Sequence, residues 1–161
     1  MDSVFGYKVF MGTPAHFSFN LEHVLVKERT GYILDKYPVL CKQGLHFYEN
    51  ISDLSIYSMV LYEMFQKYDP NKTVNLYRVI ATGKDIICNL QHKIYSSYRS
   101  KAVTNKLFVV DRLPDALLID VCRLHSYEQL LKHYSDYMWT DKNKAAWEYY
   151  LNTRSVEFVN L

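Results

Sequence analysis

The chain has 161 residues, 49% of them hydrophobic and 22% charged, with 19 Lys+Arg against 17 Asp+Glu. A chain of this length buries roughly two-thirds of the surface its unfolded form exposes, so it needs no metal or disulfide to fold, and its composition excludes disordered, collagen-like and low-complexity classes. A formal charge of +2 lacks the basic surplus of a protein that lives on nucleic-acid backbones.

Taken in chain order, the elements begin with Val4 to Met11, rich in β-branched and aromatic residues and closed by Gly12-Thr13-Pro14, a strand and turn. Shorter strand candidates follow at His23 to Lys27 and Val39 to Cys41, punctuated by Gly31 and Pro38. Ser52 to Lys67 changes to a helical stripe through Leu54, Tyr57, Leu61 and Met64, with Asn50 or Ser52 as cap and Pro70 as stop. Period two returns at Val74 to Ala81. Gly83-Lys84 then turns the chain into Asp85 to Asn89, and Val103 to Asp111 reads as one further strand before Leu113-Pro114. Ser126-Tyr127-Glu128-Gln129 forms a capping box ahead of Leu130, Leu131, Tyr134 and Met138, and Thr140 or Asp141 starts a last helix through Trp147 and Leu151. Strands, one central helix, more strands and a C-terminal helical segment predict one α+β domain with a mostly antiparallel sheet. In this reading 1–113 is the core and 114–161 a helical extension.

Cys41, Cys88 and Cys122 are odd in number and widely spaced, which favours a reducing cytoplasm over a disulfide framework. The N-terminus has no basic-then-apolar leader, and no run of about 18 apolar residues occurs, so a soluble protein without membrane contact is expected. The five glycines are scattered, which rules out a phosphate-cradling loop. Cys122, His125 and His133, or Cys41 with His46, lack a paired zinc spacing, and neither metal nor cofactor is expected.

Two segments carry candidate chemistry. Lys93, Tyr95, Tyr98, Arg99 and Lys101 interleave cations with aromatics, a pattern that grips single-stranded nucleic acid. Gly44-Leu45-His46-Phe47-Tyr48-Glu49-Asn50 gathers a turn glycine, an ionisable ring, aromatics, a carboxylate and a capping amide within seven residues. As a strand it sends His46, Tyr48 and Asn50 to one face and Phe47 and Glu49 to the other. The same groups also serve ordinary structural roles beside a helix start.

Tyr7-Lys8-Val9-Phe10, Cys41, the Gly44-Leu45-His46-Phe47 box, Tyr57, Leu76-Tyr77-Arg78-Val79 with Gly83, and Lys101 to Leu107 together resemble an uncharacterised domain of phage and giant-virus proteins, found also ahead of ankyrin and pentapeptide repeats. The resemblance spans Val4 to Leu113 and implies a viral or phage origin and a shared fold, but no reaction; here helices stand where the repeats would be. A more remote likeness to mono-ADP-ribosyltransferases implies a nicotinamide nucleotide and a first-strand His or Arg, where this chain has Tyr7 and Lys8.

The preferred reading is a non-enzymatic viral module in the host cytoplasm that binds a host or viral protein through a tyrosine-rich groove of Tyr7, Lys8, His46, Tyr48, Asn50, Tyr77 and Arg78. Fifteen tyrosines, nearly twice the about eight of an even use of the residue types, feed this expectation, since tyrosine enriches interfaces. The alternatives are a small transferase using His46, Glu49 and Tyr7, and nucleic-acid binding through the Lys93 to Lys101 stretch. Tyr57, Tyr127 and Tyr134 are assigned to the core.

Overall fold

The computed structural model describes residues 3–11, 30–57, 74–82, 85–88, 100–124, 126–153 and 159–160. Its strands are β1 (Ser3–Met11), β2 (Thr30–Ile33), β3 (Leu45–Tyr48), β4 (Val74–Thr82), β5 (Ile86–Cys88), β6 (Lys101–Thr104), β7 (Lys106–Arg112) and β8 (Val159–Asn160). They form one sheet in the order β5-β6-β3-β1-β4-β7-β2-β8, antiparallel throughout except for β2 with β8. Helices α1 (Asp115–Leu124), α2 (Tyr127–Tyr134) and α3 (Asp141–Thr153) follow the main strands, so the fold is α+β.

One connection dictates the shape of the sheet. β6 and β7 are separated in sequence by Asn105 alone, yet they stand four places apart in the strand order. In a flat sheet four spacings are roughly 19 Å, whereas Thr104 and Lys106 lie at most about 7 Å apart along the chain. The sheet must therefore curl until its two sides meet at this bend. Thr104 Oγ1 holds the bend by accepting from the Lys106 N–H and donating to the Lys106 carbonyl, both at 3.1 Å. The single strand expected over 103–111 is thus two, because period two continues through a residue at which the chain changes partners.

Side chains alternate, so the curled sheet has two apolar faces. One gathers Tyr32, Phe47, Tyr77, Val79, Ala81, Ala102, Leu107 and Val109. The other packs Tyr7, Tyr48, Leu76, Ile80 and Val110 against Leu117, Val121, Leu130, Met138 and Trp139 of the helical segment. A bulge tunes this second face: Arg78 and Val79 of β4 oppose Asp111 and Val109, skipping Val110. The extra residue lets Val110 and Asp111 both turn toward the helices and sets Asp111 beside Arg78.

Local signals explain the helix starts. The Ser126 hydroxyl accepts from the Gln129 N–H at 3.4 Å, as the capping box predicts. Thr140 and Asn143 cap reciprocally, Thr140 N–H to Asn143 Oδ1 at 2.8 Å and Asn143 N–H to Thr140 Oγ1 at 3.3 Å. The helix expected over 52–67 begins as a 3-10 helix, Ile51–Tyr57, and the remainder lies outside the described residues. The strand expected over 23–27 also lies outside them. Val39 to Cys41 is a tight turn bridged from Val39 to Gln43 rather than a strand. Among the described residues no helix is long and apolar enough to cross a membrane.

Candidate functional site

Strand pairing opens the site. β1 pairs with β4 at nine positions from Ser3 to Met11, and β3 pairs with β6 along its whole length, yet β1 and β3 share only the Tyr7–Tyr48 position. Beyond that pair the two strands part. The gap is a cavity of about 320 Å³, whose walls include Lys8 and Val9 of β1, His46 of β3, the Cys41 to Gln43 turn and Lys101 of β6.

Lys8 reaches across the gap and donates to the His46 carbonyl at 2.5 Å, with its ammonium 5.6 Å from the centre of the Phe10 ring. Burial, reinforced by the Lys101 charge, pulls the Lys8 pKa from 10.5 down to about 8. A close carboxylate would act the other way, and none lines the cavity among the described residues. Lys42 adds a third cationic residue at the exposed lip.

His46 is a clamp. Its Nε2 accepts from the Cys41 N–H at 2.8 Å, and its ring also bonds the Gly44 backbone. A nitrogen that accepts carries no proton, so the ring is neutral; burial first, then the charges of Lys101 and Lys8, hold its pKa below the ordinary histidine value. The clamp fixes a turn in which Cys41 adopts φ +63°, a left-handed conformation that strains a residue with a Cβ. Gly44 follows at φ +120°, where a Cβ would stand 2.6 Å from the Val103 side chain. The glycine of the box is thus required by both conformation and space.

The other residues of the expected groove are distributed differently. Tyr7 and Tyr77 are each 2% exposed and lie on opposite faces of the sheet. Tyr7 accepts from the Trp139 N–H at 3.0 Å and donates to Met138 Sδ at 3.6 Å, and burial pushes its pKa up. Tyr77 packs edge-on to Phe10 with ring centres 5.2 Å apart. Tyr48 is buried, although it contributes to the wall of the cavity. Asn50 accepts from Ser52 N–H and Oγ at 3.1 and 2.9 Å, a cap for the 3-10 helix.

Arg78 is bound in a fork to Asp111, at 2.6 and 2.5 Å, and lies 5.1 Å from the Trp139 ring. The groove is therefore not one surface: tyrosine's apolar body makes it as good a core residue as a contact residue, and here burial prevails. Arg78→Ala, which strands Asp111 at 17% side-chain exposure, is expected to lower stability by about 1–3 kcal/mol without changing ligand binding, as urea denaturation will show.

The transferase set does not converge. His46 is clamped by backbone, Tyr7 is sealed under Trp139, and Glu49 engages Cys88, a member of the Phe47 face. Burial raises the Glu49 pKa, partly offset by its bond to Cys88 and by Lys144, and the Cys88 thiol is pushed up to about 11 by burial and then by Glu49.

Of the nucleic-acid set, Lys93, Tyr95, Tyr98 and Arg99 lie outside the described residues, while Lys101 opens β6 at the cavity. Tyr127, expected in the core, is 37% exposed at the first position of α2. Lys42 and Gln43 went unread in the sequence because nothing local marks a turn residue as lining a cavity. No family model, curated protein or solved structure matches the chain, so the functional reading stands on this geometry.

Proposed function

We propose that the chain is a non-enzymatic binding module of viral or phage origin that engages a protein partner by taking an anionic group of that partner into the gap between β1 and β3. One observation carries the reading: Lys8 reaches into a concave site that no described carboxylate lines, with Lys101 and Lys42 also in its walls, a setting that favours an anionic group. The rim supplies the rest of an interface. Tyr37 is 79% exposed, and its carbonyl accepts from the Gln43 side chain at 2.7 Å, which ties a flat aromatic surface to the turn beside the cavity.

A ten-residue glutamate-rich peptide is the first probe. Titration calorimetry at pH 7 and low salt should show saturable binding that weakens sharply by 0.5 M salt, because attraction at an open mouth is screened. Binding should also decline as pH rises through about 8, where Lys8 gives up its proton. An anion favours the charged lysine, so the decline should move upward at saturating peptide. Absence of binding by this and every other anion tested, or binding unaffected by Lys8→Met, would remove the basis for the proposal.

A further inference from the structure

We propose that His46 makes the cavity wall acid-sensitive: a proton taken up at Nε2 flips the Leu40–Cys41 peptide and re-shapes the turn that closes one side of the β1–β3 gap. This needs no anion in the gap and stands apart from the reading above. The ring holds the turn through a bond of fixed polarity, since Nε2 accepts from the Cys41 N–H at 2.8 Å and so needs its lone pair. A protonated ring has a donor on each nitrogen, and the amide keeps its own proton, so two N–H groups would face each other.

The held turn has a second form ready. Lys42 N–H donates to the Val39 carbonyl at 2.9 Å, which closes a β-turn with Leu40 and Cys41 at its centre. Cys41 has φ +63°, while Leu40 is not among the residues of positive φ, and that pattern defines a type II turn, whose second central place ordinarily goes to glycine. A type I turn has the same closing bond but negative φ at both central residues, and the two types differ by inversion of the central peptide. Inversion therefore relieves the left-handed Cys41, turns its N–H away from the ring and brings the Leu40 carbonyl round as an acceptor for the new Nε2–H. The turn lies on the exposed side of the cavity, and Val39 N–H to the Gln43 carbonyl, at 2.7 Å, anchors its base throughout.

The titratable groups in the walls around His46 are Lys101 of β6, Lys8 of β1, Tyr48 of β3, and Cys41 and Lys42 of the turn itself, with no carboxylate among the described residues. Burial and then the Lys101 and Lys8 charges hold the ring below the ordinary 6.5, against the bond to the Gly44 backbone, which favours the proton. The held form thus binds a proton less readily than a free ring, so acid favours the flipped form, and its share grows as pH falls through a midpoint below 6.5.

NMR of the unliganded full chain between pH 7.5 and 4.5 tests this. A type II turn brings the Leu40 Hα close to the Cys41 N–H, and a type I turn brings the two N–H groups together. The first cross-peak should give way to the second with the same midpoint as the His46 ring signals, while circular dichroism stays constant. His46→Gln, which can reach the same N–H but takes up no proton, should remove the transition. Cys41→Gly, which tolerates positive φ, should move the midpoint down by about 0.5 of a pH unit or more. A ring that titrates while the turn cross-peaks stay unchanged would overturn the proposal, as would the same transition in His46→Gln or a ring that takes up its proton only as the whole fold is lost. None of these outcomes bears on anion binding at pH 7, so the two readings stand or fall separately.

Discussion

Lys8→Met should raise the stability of the unliganded protein at pH 7 by about 1–2 kcal/mol while abolishing anion binding. The folded chain releases the Lys8 proton near pH 8 and the unfolded chain near 10.5. Between those values the unfolded state holds more protons, so stability rises with pH across the window and levels off above it. The full penalty at neutral pH is about 3 kcal/mol, reduced because Lys8 is only half-buried and because Met leaves the His46 carbonyl without its donor. Methionine fills the same stem volume without the charge. Urea denaturation at pH 7 and pH 10.5 provides the check: the variant should lead at pH 7, by about 2–6 °C in a thermal melt, and lose that lead at pH 10.5. A variant less stable than the parent at both pH values would show that Lys8 is a structural lysine and would leave the site without its functional argument. A residue that lowers stability while lining a cavity is the pattern of a site kept for binding.

How much of this was legible beforehand depends on the range of the signal. Strands β1 and β4 and the capped helices α2 and α3 rest on neighbours within a few residues, and period and caps reveal them. The Gly44–His46 box was legible as a special place, since a left-handed glycine beside an ionisable ring leaves a local trace. Its role was not, because the partner of the ring is the Cys41 N–H, and the use of the turn is to form one wall of a gap whose other wall is β1.

Parting of β1 from β3 leaves no mark in either strand's alternation: Lys8 reads as the polar member of an alternating strand, and Lys101 as part of a basic stretch. Asn105 hides the curl for the same reason. Tyrosine was the most ambiguous letter. Tyr7, Tyr48 and Tyr77, read as contact residues, fill the core, and the exposed ones among the described residues, Tyr37, Tyr127, Tyr137 and Tyr149, sit on a loop and on the helical segment. Burial is a property of the assembled sheet, and an amphipathic side chain does not announce it.

The largest loss of stability is expected from a residue outside the strands. Trp139→Ala should destabilise the fold by about 4–5 kcal/mol, a large share of the 5–15 kcal/mol that a domain of this size possesses. Trp139 is 7% exposed, lies 4.8 Å from Phe5 ring to ring, and sits under the Arg78 guanidinium. Its Nε1–H donates to the Gly6 carbonyl at 3.0 Å, while its backbone N–H donates to the Tyr7 hydroxyl at the same distance. Truncation therefore opens a cavity, strips the Gly6 carbonyl of its donor and removes the face on which Arg78 lies.

Trp139→Phe separates the contributions: it keeps much of the packing and loses the indole bond, for an expected cost of about 1–2 kcal/mol. Because Arg78 touches both Asp111 and Trp139, the Arg78→Ala and Trp139→Ala losses should combine to less than their sum, by at least about 0.5 kcal/mol in a double-mutant cycle. Guanidinium denaturation midpoints at unchanged slope give these values. A Trp139→Ala loss below about 1 kcal/mol would mean that the helical segment merely rests on the sheet. The expected loss instead makes that segment the element that holds β1 against the core, and so fixes the strand from which Lys8 reaches into the gap.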